Sequence, residues 1–434
     1  MADLALEEQM SGEVRLYDID MEAARINETI GNRVSHYEKA KSRWRYRAVF
    51  TLEEALTEAD FVIISIQPGT FREMESDVHQ PEKYGIYQPV GDTVGPGGII
   101  RALRTFPMYI EFAEAIRANA PDAWIINYTN PMSLCTRMLY ATFPEIKAFG
   151  CCHEVFGTQK LLASMLDTMV NIKEVKREEI KTNVLGINHF TWIDKAGYKN
   201  MDLFPLYKSF AEKYATTGYE GLRPWTSSVF ASAHRVKFDL FMRYGIIAAA
   251  GDRHLAEFIP SRYLAGAEMA KEWMFHLTPV SWRISDMQSK QEKSVRLAEG
   301  DEDIELSPSG EEGVRQMKAL SGLEDMVTNV NLPNRGQIEN LPKHAVVETN
   351  AFFTFNCVKP VMAGMLPRDV NSLVDRHACN QEGLIQAIMN KSEEQVFDIF
   401  KSDPFMDRLS LSDARSLFEE MIANTAEYLP HWIT

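Results

Sequence analysis

Phe61-Val62-Ile63-Ile64-Ser65-Ile66 is an apolar run of strand length, with Asp60 before it and Gln67-Pro68-Gly69 after it. A short apolar run bounded by turn residues reads as a strand covered on both faces, the situation of strands in parallel sheets flanked by helices. The pattern extends upstream. Glu13-Val14-Arg15-Leu16-Tyr17-Asp18 reads as a strand ending on an acid, and a helical pattern follows from 21 to about 41. A strand at 46–51 and a helix at 52–59 complete the approach to Phe61. Before them, residues 1–9 read as the tail of an amphipathic helix that stops near Gly12.

Downstream the alternation continues. Gly95-Pro96-Gly97-Gly98 opens a long helix, expected at about 99–118. Trp124-Ile125-Ile126-Asn127-Tyr128 is the next buried strand, and Asn130-Pro131 is expected to cap the helix after it. Residues 146–152 read as a strand, 154–166 as a helix, and 182–193 as one long strand running through His189. This βαβ order predicts an α/β protein with a Rossmann-like, doubly wound parallel sheet. Beyond about 195 helical patterns dominate, around 226–245, 310–321 and 380–400, so a mainly helical α+β second region is expected. The chain of 434 residues is divided accordingly into 1–190 and 191–434. The charged stretch 283–313 reads as an excursion from that region.

A formal net charge of −15 excludes a nucleic-acid binder, which needs a basic face. Five cysteines in so long a chain do not make a disulfide framework, and a cytoplasmic setting is expected. The acidic start lacks the basic region of a signal peptide. No segment approaches the ~18 apolar residues of a membrane span.

Chemistry concentrates in two places. Gly150-Cys151-Cys152-His153 follows one strand and Gly186-Ile187-Asn188-His189 lies in another. Thiolate and imidazole are both transition-metal ligands, and strand ends are where α/β proteins bind substrates. Each residue alone reads equally as a buried thiol or a core histidine. In a dinucleotide fold an acid closing the second strand bonds the ribose hydroxyls, about 20 residues after a glycine turn. Asp18 holds that position and Asp20 is the alternative, although a solvated turn acid fits the same residues. Ser65 and Asn127, at their strand ends, are the further candidates for cofactor contact. The glycine turn and its strand do not precede Glu13. The expectation is a sheet lacking its first strand, through a start assigned at an internal Met or a shortened gene, with a cofactor-free descendant as the alternative.

Asn127-Tyr128-Thr129-Asn130-Pro131, Gly150-Cys151-Cys152-His153, Gly186-Ile187-Asn188-His189 and Asn331-Leu332-Pro333-Asn334-Arg335-Gly336 occur in that order. In this order they resemble glycoside hydrolase family 4, the NAD- and metal-dependent glycosidases. Tyr84-Gly85-Ile86-Tyr87-Gln88, Gly91-Asp92-Thr93-Val94-Gly95-Pro96-Gly97-Gly98 and Gly251-Asp252-Arg253-His254-Leu255-Ala256-Glu257-Phe258 resemble its α-galacturonidase branch. The resemblance implies a lactate/malate dehydrogenase-like fold and a mechanism outside paired-carboxylate hydrolysis. NAD⁺ oxidises the sugar at C3, a base removes the C2 proton, the aglycone is eliminated, water adds and C3 is reduced again.

By the same resemblance Cys152 and His189 are ligands of Mn²⁺ or another divalent ion. His153 is the acid for the leaving oxygen, or else a group orienting the thiolate. Asp252 is the C2 base, or else a partner of Arg253. Asn130 bonds the sugar near C2 and C3. A uronic acid carboxylate calls for an arginine, with Arg253, Arg104 and Arg335 as candidates. The expected partners are a small sugar or uronide substrate and further copies of the chain, as homodimer or homotetramer. The alternatives are an α-galactosidase or α-glucuronidase of the same family, an NAD-dependent 2-hydroxy acid dehydrogenase, and a non-catalytic binder of sugar or nucleotide.

Overall fold

The computed structural model describes residues 1–221 and 224–433. The expected strands form, each ending earlier than expected, with β1 and β2 also starting one and two residues sooner: β1 (Gly12–Leu16), β2 (Trp44–Ala48), β3 (Phe61–Ile64), β4 (Trp124–Asn127) and β5 (Lys147–Gly150). The βαβ order makes β3, β4 and β5 parallel, and β1 runs parallel to β2. Among the described residues β1 and β2 stand as a separate two-stranded sheet, and β3 is the edge of the larger one. Ile63 on that edge is 55% exposed, so the run that marks the fold is only half covered.

The second half does more than add helices. The hairpin β6 (Ile180–Ile187) and β7 (Phe190–Tyr198) forms a separate antiparallel sheet with the short β8 (Met201–Asp202) and β9 (Ile247–Ala248). Strands β10 (Met326–Pro333), β11 (Val346–Thr354) and β12 (Cys357–Pro360) then return to the first sheet. The order there is β12-β11-β10-β5-β4-β3, with β10 antiparallel to β5.

Three local expectations are corrected. The single strand through His189 is two strands, with Asn188-His189 as the two-residue turn between Ile187 and Phe190. Gly186 makes this possible: its φ is 143°, and a Cβ there would lie 2.5 Å from the Phe190 carbonyl oxygen. Asn130 does not cap the next helix; Pro131 is the N-cap of Met132–Thr142, and the Asn130 side chain turns to Asp92 instead. Most of the charged stretch 283–313 is structured, as the Val280–Glu299 helix and the start of Gly313–Leu320.

The long helix Gly95–Asn119 is the spine of the main core, burying Ile100, Leu103, Phe106 and Tyr109 completely. Its start is crowded by design: a Cβ on Gly98 would lie 2.5 Å from the Thr93 carbonyl carbon, so glycine lets the 91–94 loop cross there. Arg104 on this helix is fully buried and grips Asp77 with both ends of its guanidinium. A buried pair of this kind is costly to halve. Arg104→Met is therefore expected to destabilise the fold by about 3–5 kcal/mol, read as a lower urea midpoint. An unchanged midpoint with a raised KM would instead make Arg104 a substrate contact.

Candidate active site

The turn at His189 and the helix Asp252–Phe258 meet through stacked rings. Phe190, next to the turn, lies 4.6 Å from Phe258 with the ring planes 7° apart. This sets His254, one helical turn before Phe258, over His189, with ring centroids 3.9 Å apart. The same helix holds the loop that carries Asp92. Glu257 Oε1 accepts the N–H groups of Val90 (2.7 Å) and Gly91 (2.9 Å), and Arg253 donates to the Pro89 carbonyl (2.8 Å). One donor atom each from Asp92, His189 and His254 consequently lies within 4.8 Å of the others.

Hydrogen bonds orient these groups. The Thr93 hydroxyl donates to Asp92 Oδ1 (2.8 Å), so its lone pair receives the proton of His189 Nδ1 (2.9 Å). That leaves the His189 Nε2 lone pair for a cation. Burial holds the His189 imidazole down at about 3, neutral at physiological pH. Asn130 donates to Asp92 Oδ2 (3.2 Å), and Asn130 Oδ1 is buried without a protein partner. Burial raises the pKa of Asp92, and the facing imidazoles of His254 and His189 together with the Arg101 guanidinium outweigh it, holding the carboxyl at about 2.

Cys152 lies in the loop after β5, buried beside Glu348 and Glu154. Burial holds its thiol well above the usual range, so thiolate formation needs a compensating cation. Glu348, accepting from Asn188 (3.2 Å) and Asn329 (2.6 Å), is pushed by burial up to about 7. Two imidazoles and a carboxylate are a donor set that fits a divalent ion, and the Cys152 thiol is not among the three converging donors.

The other expected residues are spread more widely. His153 is 67% exposed along its side chain and pairs with Glu311 at 3.1 Å, which raises its pKa. It lines a cleft of about 210 Å³ together with Glu154, Lys237 and Gly251. Asp252 is buried outside the three-donor cluster; its oxygens accept the N–H groups of Val236 and Lys237 at 3.2 Å each. Burial pushes its carboxyl up to about 6, against the opposing charge of Lys237. Arg253 donates to Pro89, His276 and Thr278, and its guanidinium lies over the Phe230 ring. Arg335 is exposed at the end of β10.

After β1, Asp20 caps the Met21–Ser35 helix through the Ala23 N–H and Asp18 accepts from the Asp20 N–H. Asp20 and Gln67 line a groove of about 640 Å³ that also includes Phe230, Trp282 and Lys290. Ser65 is exposed beside it in sequence, whereas Asn127 is fully buried, held by Tyr109, Thr129 and Thr136. The acids and the groove fit a nucleoside. A glycine turn at the phosphate position is not found among the described residues.

Sequence reasoning passed over Asp92, His254, Glu154, Glu257 and Arg101. Arg101 donates to the Asn130 carbonyl (3.0 Å) and to Gln67 (3.3 Å), bridging the cluster and the groove. All except Glu154 and Arg101 stand inside the quoted motifs. The missing signal was spatial: nothing in the spacing shows that 92, 189 and 254 converge.

A model of the family described as family 4 glycosyl hydrolase matches residues 1–168, and that of its C-terminal domain matches 184–406. The chain is 60% identical over 433 residues to an α-galacturonidase of Thermoanaerobacter italicus, covering all of this chain and 94% of that protein. The crystal structure of lplD from Bacillus subtilis is 54% identical and superposes with a TM-score of 0.93, over 97% of this chain and 95% of that one. A 6-phospho-α-glucosidase from gut microorganisms, solved with NAD and Mn²⁺, shares the fold at 20% identity and a TM-score of 0.80, over 99% and 94% of the two chains.

Glu257 tests the packing that forms the cluster. Burial raises its carboxyl from 4.5 to about 7, and Oε2 has no partner. A folded pKa above the unfolded one gives stability that is complete below the unfolded value and lost as pH rises through the folded value. Glu257→Gln keeps an oxygen for the two amides without ionising. Its denaturation midpoint is expected to fall less between about pH 4.5 and 7 than that of the unmodified chain. Parallel midpoint curves would place the titration elsewhere.

Proposed function

The chain belongs to the family 4 glycosyl hydrolases, and we propose that it releases α-linked galacturonic acid from α-galacturonides, using NAD and a divalent metal. The observation that carries this reading is the 60% identity to an α-galacturonidase along the whole chain. Such likeness is supported by the donor cluster built at the turn and the helix that carry the resemblance. When bound, NAD supplies reversible oxidation at the sugar C3, and the divalent ion supplies Lewis acidity toward the C2 and C3 oxygens.

Within this proposal Cys152 and His189 hold the metal, His189 through the nitrogen left free by Thr93. Asn130 orients the sugar, an assignment supported by its buried, unpartnered Oδ1. Asp252 takes the C2 proton: a carboxyl near 6 is ionised at neutral pH and still basic enough to accept it. His153 gives a proton to the leaving oxygen, for which its raised pKa beside Glu311 is favourable. Asp18 or Asp20 bonds the nucleotide ribose, and Ser65 and Asn127 support that end.

Arg253 remains the arginine proposed for the carboxylate of the substrate. Residues 1–190 are proposed as the nucleotide-binding part and 191–434 as the part for substrate and self-association. Homodimer or homotetramer formation is proposed with exposed Met362 and Met365 as part of the buried face. A cytoplasmic location is proposed on the five free thiols.

Incubation of the chain with a synthetic α-galacturonide, NAD⁺ and Mn²⁺ is expected to release sugar without net NADH. Chelator removes the activity, and Cys152→Ser lowers it by at least about 100-fold, the size of a lost electrostatic stabiliser. Net NADH formation with a 2-hydroxy acid and no sugar release would support a dehydrogenase instead.

A further inference from the structure

The reading above gives the cation two protein ligands, and the structure brings two further donors beside one of them, His189. We propose that His254 and Asp92 ligate the divalent ion together with His189. The proposal rests on the metal-dependent reading and deepens it. Its first support is distance: the three donor atoms lie within 4.8 Å of one another, the separation that ligands of one ion adopt across their coordination sphere.

The second support is how each donor is held. His254 turns Nδ1 to Glu154 Oε1 at 3.4 Å, which leaves Nε2 as its free nitrogen. Glu154 is itself fixed, since Oε2 accepts the Gly251 N–H at 2.6 Å. This is the carboxylate–histidine arrangement that orients metal-binding imidazoles. His189 is fixed in the same sense by Thr93, and Asp92 by Thr93 and Asn130. Three donors from three separate segments are thus each pre-set by a neighbouring group, which a chance cluster of polar side chains does not require. The third support is chemical. Thiolate with one imidazole favours a soft ion such as zinc, whereas a carboxylate oxygen moves the site toward harder ions such as Mn²⁺. The helix Asp252–Phe258 and the 89–94 loop then become parts of the metal site.

The test is Mn²⁺ binding to the full chain, followed by the loss of the free-ion electron paramagnetic resonance signal, with no sugar or NAD present. His254→Ala and Asp92→Asn are each expected to weaken binding by about 10-fold or more, and Glu154→Gln by less, because it only orients His254. Folding of each variant is checked by circular dichroism. Pulsed resonance on the unmodified, Mn²⁺-loaded chain needs no variant: it is expected to show two imidazole nitrogens coupled to the ion. One coupled nitrogen, or unchanged affinity in both folded variants, overturns the proposal and leaves the galacturonidase reading intact. Absence of Mn²⁺ binding in the unmodified chain overturns the metal-dependent reading and this proposal with it.

Discussion

The structure depends on how one short helix grips one loop. Glu257 takes the amide protons of Val90 and Gly91, Arg253 takes the Pro89 carbonyl, and Phe258 stacks on Phe190. Those contacts unite three segments far apart in sequence: the 89–94 loop, the hairpin turn at 188–189 and the helix itself. Each segment brings one donor to the cluster. The grip also explains a costly choice, a carboxylate buried with one oxygen unpaired. Two amides at the bend of a loop are otherwise without acceptors, and leaving them so in the interior would cost about as much.

A second constraint is charge. Asp92, Glu154, Glu257 and Glu348 all lie in or beside the cluster and are largely buried, with Arg101, Arg253 and Lys237 nearby as cations. Their environments separate them. Asp92 and Glu154 face imidazoles and are held below the usual carboxylate range, whereas Glu257 and Glu348 are held up near 7 by burial. Groups pushed apart in this way characterise sites that bind cations and move protons at neutral pH. The raised Cys152 thiol fits the same logic, because only a nearby cation makes its thiolate favourable.

Much of this was legible in the sequence, for reasons that differ by residue. The apolar runs at 61–66 and 124–128 marked parallel strands because covered strands have nothing polar to alternate with. Cys152 and His189 were legible because few residue types bind metals. The two-residue turn at Asn188-His189 was not, since Ile187 and Phe190 continue the apolar pattern straight through it, and only the positive φ of Gly186 breaks it. The strands β10 to β12 completing the first sheet were equally hidden: β5, which β10 joins, lies about 180 residues away, and local periodicity carries no record of pairing partners. Arg104 read as a candidate for the substrate carboxylate, and its burial against Asp77 is a tertiary fact.

The central claim is that this site acts on the hydrogen at C2 of the sugar, unlike a pair of carboxylates attacking the anomeric carbon. Hydrolysis of an α-galacturonide in deuterium oxide tests it directly, with the released galacturonic acid analysed by nuclear magnetic resonance before appreciable isomerisation. The account predicts deuterium from solvent at C2. Product released at the same rate with the original hydrogen retained at C2 would contradict it.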